Sequence, residues 1–382
     1  MKNNNFKKLI GKIHLWLGLS SGIIVFIIAI TGCLYAFQEE IQNITEEYRF
    51  VKEQNVNFLP PSKLVGIAKK ELPNKLLHAI KYNEKNNAVE AEFYQYEPSY
   101  YYTAFINPYT GKVLKTVNHE EGFFTFILDG HFNLWLPHEI GQVVVSVATL
   151  IFLVLLVSGL ILWYPKNKNA AKQRFSFKWK KGTKWKRKNY DLHNITGFYM
   201  LIIGIIFAIT GLVWGFEWFA YSYYKVSGGE KSLIYEEPLS KKNQKTATTI
   251  VKPLDAIWFQ MQKEYPLAES IEIHPPETNL SPIAANANMD EGTYWKIDYR
   301  YFDQYSLKEI TVSHLWGRKT ADKVADNLMK MNYDIHTGAI LGLPGKIFAF
   351  LCSLLIASLP ISGCYIWWGR NRKKKNTAAV LN

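Results

Sequence analysis

Residues 14–37 read His-Leu-Trp-Leu-Gly-Leu-Ser-Ser-Gly-Ile-Ile-Val-Phe-Ile-Ile-Ala-Ile-Thr-Gly-Cys-Leu-Tyr-Ala-Phe. At an offset of 179, residues 193–216 read His-Asn-Ile-Thr-Gly-Phe-Tyr-Met-Leu-Ile-Ile-Gly-Ile-Ile-Phe-Ala-Ile-Thr-Gly-Leu-Val-Trp-Gly-Phe. Ten of the 24 positions are identical, including the leading histidine, Gly18/Gly197 and the run Ala29-Ile30-Thr31-Gly32 against Ala208-Ile209-Thr210-Gly211. Each copy is long enough to cross hydrocarbon as a helix. An ionisable ring placed twice at one depth of a duplicated apolar helix is costly unless something binds it. The pair therefore points to a buried metal cofactor.

Two more apolar runs, 140–164 and 347–368, join 13–37 and 192–216, and none of the four contains Asp, Glu, Lys or Arg. Four membrane spans are predicted. The net charge of +13 has a topological cause: four basic residues lie in 1–12, eleven in 165–190 and five in 369–375, with no acidic residue among them. Those blocks hold 20 of the 45 Lys and Arg, leaving 25 basic residues against 32 acidic ones elsewhere. The positive-inside rule then puts both termini and the 165–190 loop in the cytoplasm, with 38–139 and 217–346 outside. A juxtamembrane place for every basic cluster argues against nucleic acid as the partner. The segment Phe175-Ser176-Phe177-Lys178-Trp179-Lys180-Lys181 is suited to an anionic lipid surface. The first span has no small-residue cleavage site after Cys33 and is read as retained.

The resulting division is a cytoplasmic tail with span one (1–37), a first exported domain (38–137), span two (138–164), a basic loop (165–191), span three (192–219), a second exported domain (220–337), span four (338–369) and a tail (370–382). All three cysteines, Cys33, Cys352 and Cys364, fall within spans, so the exported parts are expected to fold without disulfides. No Cys-x-x-Cys-His is present, which excludes ordinary covalent haem attachment and leaves b-type haem as the form to consider.

In the first exported part, Pro60-Pro61-Ser62 predicts a helix through Leu72 with Ser62 as N-cap, followed by strands near 76–82, 88–95, 101–106 and 112–117. The second repeats the pattern: a helix from Pro253 through Glu264, then strands near 270–274, 293–301 and 308–314. The turns Asn107-Pro108-Tyr109-Thr110-Gly111-Lys112 and Asp303-Gln304-Tyr305-Ser306-Leu307-Lys308 correspond at an offset of 196. The expected fold is a membrane all-α four-helix bundle with two small α+β exported domains, built as two copies of span, domain, span.

The chain resembles the PepSY-associated transmembrane proteins, an iron-regulated group that includes bacterial ferric-siderophore reductases. The resemblance rests on His14-Leu15-Trp16-Leu17-Gly18-Leu19, Thr31-Gly32, Ser158-Gly159-Leu160-Ile161-Leu162-Trp163-Tyr164-Pro165-Lys166, Tyr301-Phe302-Asp303-Gln304-Tyr305-Ser306 and Asp334-Ile335-His336-Thr337-Gly338-Ala339-Ile340-Leu341-Gly342-Leu343-Pro344-Gly345. It covers nearly the whole chain. It departs from the family pattern at Leu307, where the turn usually has Gly, and around His131, where extra residues precede Gly141. The resemblance implies a bacterial inner-membrane protein with two b-type haems in the span bundle and two PepSY domains in the periplasm.

The histidines fall into pairs. His14 and His193 sit at the cytoplasmic ends of spans one and three. His131 and His336 precede spans two and four, each followed by a Leu-Pro pair, Leu136-Pro137 and Leu343-Pro344. His138 is the rival to His131, which is favoured because Asp129-Gly130-His131 parallels Asp334-Ile335-His336. Paired imidazoles as haem-iron ligands leave no open position and suit electron transfer. The 17 residues from His14 to Thr31 rise about 25 Å, so one haem near each face is expected to span the bilayer as a relay. Every span also carries a hydroxyl-glycine pair, Thr31-Gly32, Ser158-Gly159, Thr210-Gly211 and Ser362-Gly363, and the four glycines are expected to make room for the porphyrins. Membrane helices use the same small pairs simply to pack.

His78, His119, His274 and His314 read as surface or core histidines of the exported domains. The sequence contains no His-Glu-x-x-His, nucleophile elbow, P-loop or dinucleotide fingerprint. Electrons are therefore expected from a separate donor, a quinol or a cytoplasmic reductase. Tyr94, Tyr96, Tyr100, Tyr101 and Tyr102, with Tyr299, Tyr301 and Phe302, form an aromatic set available either for strand packing or for a ferric chelate. Arg318 and Lys319 are cations available to an anionic chelate or a haem propionate. The leading expectation is outward electron transfer to a ferric chelate, which the resemblance implies to be a ferric siderophore. The alternatives are a non-enzymatic partner-binding protein and an iron or siderophore transporter, the latter disfavoured by spans free of Asp, Glu, Lys and Arg.

Overall fold

The computed structural model describes residues 2–165, 167–242 and 252–380, with side chains undescribed at 2–4, 169–170 and 371–380. Lys166 and the basic side chains at 2 and 371–375 therefore lie outside the described residues. Along the chain run α1 (Lys2–Tyr35), α2 (Gln38–Thr45), α3 (Pro61–Glu71), β1 (Leu77–Tyr82), β2 (Val89–Gln95), β3 (Tyr100–Ile106), β4 (Val113–Asn118), α4 (Phe123–Asn133), α5 (His138–Trp163), α6 (Lys168–Lys172), α7 (Trp185–Tyr199), α8 (Leu201–Gly215) and α9 (Glu217–Val226). There follow α10 (Pro253–Glu264), β5 (Ser270–His274), β6 (Ile283–Asn288), β7 (Ile297–Phe302), β8 (Glu309–Ile310), α11 (Val324–Lys330), α12 (Asn332–Thr337) and α13 (Gly342–Val380).

Two compact units result, one of residues 1–38, 126–222 and 335–382, the other of 39–125 and 223–334. By contact the units divide after 125 and 334, so His131 and His336 belong to the helical unit.

Among the described residues, three helices of that unit are long and apolar enough to cross a membrane, in α1, α5 and α13. The expected third span is not one straight helix. It is the pair α7 and α8, bent by 61°, with Met200 at the junction. The bend lets the two halves take different partners: α7 packs on α13, and α8 on α5, while α1 packs on both α5 and α13.

The other unit carries one eight-stranded sheet, ordered β4-β3-β2-β1-β5-β6-β7-β8. The two predicted α+β repeats are joined through their first strands, which pair antiparallel with Ile80 opposite Ile273 and Lys81 opposite Glu272. Alternation sends Ile80, Tyr82, Val89, Ala91, Phe93, Ile273, Ala285 and Phe302 to one face, where α3 and α10 cover them with Leu64, Ala68, Ile257, Trp258 and Met261. Burial of this shared apolar layer holds the unit together.

Three local expectations need correction. Ser62 does not cap α3, whose N-cap is Pro60. Its backbone N and hydroxyl instead donate to the Asp255 carboxylate of α10, at 2.8 and 2.7 Å. Strand β6, Ile-Ala-Ala-Asn-Ala-Asn, is additional to the predicted strands; its small and amide side chains have little intrinsic strand preference. The predicted strand 308–314 shrinks to Glu309–Ile310. Leu307 takes the left-handed conformation, φ 58°, that the equivalent Gly111 takes at 76°, so the departure from the family turn is absorbed without changing its shape.

Candidate functional site

The four singled-out histidines gather as two pairs in the helical unit. His14 on α1 and His193 on α7 have ring centres 6.5 Å apart. His131 on α4 and His336 on α12 have theirs 6.2 Å apart. His138, the rival, is exposed and its Nδ1 lies 3.1 Å from Asn133 Oδ1.

Each imidazole leans on another helix through one hydroxyl-glycine pair. His14 Nδ1 is 2.9 Å from Ser158 Oγ of α5, and His193 Nδ1 is 2.9 Å from Ser362 Oγ of α13. His336 Nδ1 is 2.7 Å from Thr210 Oγ1 of α8. His131 Nδ1 lies 2.8 Å from the Ile28 carbonyl and 3.3 Å from Thr31 Oγ1, both on α1. The adjacent glycine meets the same ring. A Cβ at Gly32 would stand 3.0 Å from His131 Cε1, at Gly159 3.4 Å from His14 Cε1, at Gly363 3.4 Å from His193 Cε1 and at Gly211 3.6 Å from His336 Cε1. Each of these four glycines thus packs against the ring of one histidine from another helix.

The elements that present the outer pair depend on close backbone approaches. After α4 the chain turns through left-handed Leu134 and Trp135, φ 54° and 58°, and a Cβ at Gly141 would sit 2.2 Å from the Asn133 carbonyl oxygen. After α12, Gly338 is left-handed and a Cβ there would sit 2.3 Å from the Gly345 carbonyl oxygen. The extra residues near His131 are thus taken up in a tight turn. Phe132, Phe207 and Trp214 surround the outer rings, Trp214 at 5.4 Å and Phe207 at 5.8 Å from His336.

A cavity of about 350 Å³ opens beside the inner pair, lined by both histidines and by Gly11, Gly18, Gly22 and Gly197. It falls in the size range of small-molecule sites. Together with Gly159 and Gly363, these four glycines form part of its wall. They went unremarked as site residues because isolated glycines in apolar helices read as packing.

Ring centres 6.5 and 6.2 Å apart leave room for one iron between the imidazoles of each pair. Two side chains alone do not make a metal site, and among the described residues no group of three or more His, Cys, Asp or Glu is arranged to hold a bare ion. The donor set therefore suits iron that brings its own equatorial ligands, as in haem. Inner and outer pairs touch α1 at residues 14 and 31, about 25 Å apart along the helix axis.

The remaining singled-out residues lie in the sheet unit. His119 Nε2 is 2.9 Å from Thr103 Oγ1, and His314 is buried among Tyr235, Tyr301 and Trp316. Tyr100, Tyr301 and Phe302 are core residues, whereas Tyr94, Tyr96 and Tyr101 remain exposed. Arg318 pairs with Glu309, and Lys319 Nζ donates to Asn327. The face away from α3 and α10 carries His78 and His274, ring centres 4.8 Å apart, with His274 Nε2 3.4 Å from Glu272 and Lys81 paired with Glu291. Burial and the neighbouring charge of His274 push His78 down, whereas Glu272 outweighs burial and raises His274.

A family model described as the PepSY-associated TM region matches residues 12–370. No curated protein sequence matches the chain significantly.

Proposed function

Because the chain belongs to the PepSY-associated TM family, we propose that this membrane protein is an oxidoreductase that passes electrons outward through two b-type haems to a ferric chelate, in the manner of a ferric-siderophore reductase. The observation that carries the reading is the ring-centre spacing of 6.5 and 6.2 Å in two histidine pairs. His14 and His193 would hold the inner haem, and His131 and His336 the outer one. A haem held by these imidazole pairs would supply one-electron transfer.

In this reading the bent α7–α8 pair is the third of four spans, with both termini cytoplasmic and the sheet unit exported. The apolar helices exclude water from the imidazoles, and the basic loop holds the inner pair at the cytoplasmic face of a bacterial plasma membrane. A quinol or cytoplasmic reductase supplies the electron. The chelate takes its place at the face of the sheet away from α3 and α10, against the exposed rings of Tyr94 and Tyr101. One electron converts its Fe(III) to Fe(II), whose lower charge weakens binding to hard oxygen ligands, and the chelator leaves intact.

The test is the visible spectrum of the purified protein before and after dithionite. Two haems per chain with six-coordinate low-spin bands in the reduced state, and reoxidation by added ferric chelates, are expected. Colourless protein made with adequate haem supply would instead favour a partner-binding role for the exported sheet.

A further inference from the structure

We infer that the hydroxyls of Thr210, Ser158 and Ser362 are positioning residues that hold the proton of His336, His14 and His193 on Nδ1, as the Ile28 carbonyl chiefly does for His131, leaving Nε2 as the iron-binding nitrogen and tuning the iron's potential. The inference rests on the haem reading and concerns side chains that touch the histidines rather than the iron.

Each hydroxyl already donates within its own helix. Ser158 Oγ donates to the Leu155 carbonyl at 3.1 Å, Ser362 Oγ to Leu359 at 3.0 Å, Thr31 Oγ1 to Ile27 at 2.8 Å and Thr210 Oγ1 to Ile206 at 2.7 Å. A hydroxyl has one proton, so toward the imidazole it acts as acceptor. With the hydroxyl proton engaged in its own helix, Nδ1 carries hydrogen and the neutral ring keeps its lone pair on Nε2. The glycine beside each hydroxyl lets the ring edge approach closely enough for this contact. In three of the four apolar runs one small motif thus holds both the tautomer and the orientation of one imidazole from another helix.

The outer pair contains an internal comparison. His131 Nδ1 donates to the Ile28 carbonyl at 2.8 Å as well as approaching Thr31 at 3.3 Å. A carbonyl has no proton to give, so His131 keeps its tautomer without Thr31. His336 Nδ1 donates to Thr210 Oγ1 at 2.7 Å. Hydrogen bonding to the distal nitrogen strengthens the imidazole as a donor and favours ferric iron. Removing the acceptor should therefore raise the midpoint potential.

The experiment compares the full-length protein with Thr210→Val, Thr31→Val and Thr210→Ser, measuring haem per chain, midpoint potentials and the low-spin ferric electron paramagnetic resonance signal. Thr210→Val is expected to raise the potential of one of two haems, alter its signal and weaken haem retention about tenfold or more. Thr31→Val should shift the same centre less, and Thr210→Ser should restore wild-type behaviour. A Thr210→Val protein with full haem and unmoved potential would overturn the positioning role while leaving the haem reading standing. Equal shifts from Thr31→Val and Thr210→Val would also overturn it. Wild-type protein without haem, despite adequate supply, would overturn both.

Discussion

At the scale of single residues, the glycines beside the histidines are graded by distance, and their substitutions should follow that grading. A Cβ at Gly32 would press to 3.0 Å on His131, whereas one at Gly211 would make an ordinary 3.6 Å contact with His336. Gly211→Ala is expected to keep its haem. Gly32→Ala should lose haem, through overpacking of about 1–3 kcal/mol, and pigment per chain measures the difference. Glu92 provides a separate, pH-dependent test. Burial and the like charges of Glu272 and Glu90 push it up to about 8, above an unfolded value of about 4.3. The native state therefore holds its proton to higher pH, and the associated stability is complete below about pH 4.3 and lost as pH rises through about 8. Glu92→Gln should flatten that part of the unfolding midpoint's pH dependence. The histidine pairs were legible because duplication marked them. The proton bookkeeping of the hydroxyls was not, since it depends on which carbonyl each one has already engaged.

At the scale of elements, the sequence located α1, α5, α10 and α13 through long apolar runs or a proline start. It missed the bend between α7 and α8 because no charged residue or proline interrupts 192–216; the bend accompanies the different partners of the two halves. The same reasoning explains Ser62. A serine after proline at a helix start reads as a cap, yet the Asp255 carboxylate of α10 takes both its donors. Asp255 is buried, and its loss would leave two donors at the start of α3 without their anion. Asp255→Ala is expected to destabilise the sheet unit by about 2–3 kcal/mol, seen as a lower unfolding midpoint for that unit with haem content retained.

At the scale of the whole molecule, internal repetition was readable from offsets of 179 and 196, but the union of the repeats in one sheet was not. The β1–β5 contact depends on two edge strands separated by nearly half the chain, and strand composition does not name a distant partner. If the outward relay is correct, reduced protein in oriented vesicles should be reoxidised by an impermeant ferric chelate presented to the sheet side, and much more slowly from the other. His336→Ala should abolish that reoxidation while the inner centre remains reducible, as stopped-flow absorbance would record. The same strand pairing also imposes an order on biogenesis. β1 leaves the ribosome about 190 residues before β5, a delay of roughly 10–40 s at ordinary synthesis rates, during which its edge amides and carbonyls lack their eventual mate. Newborn chains thus pass through an interval of exposure to foreign strands, which ends only after the intervening helices have been laid down and the second repeat arrives.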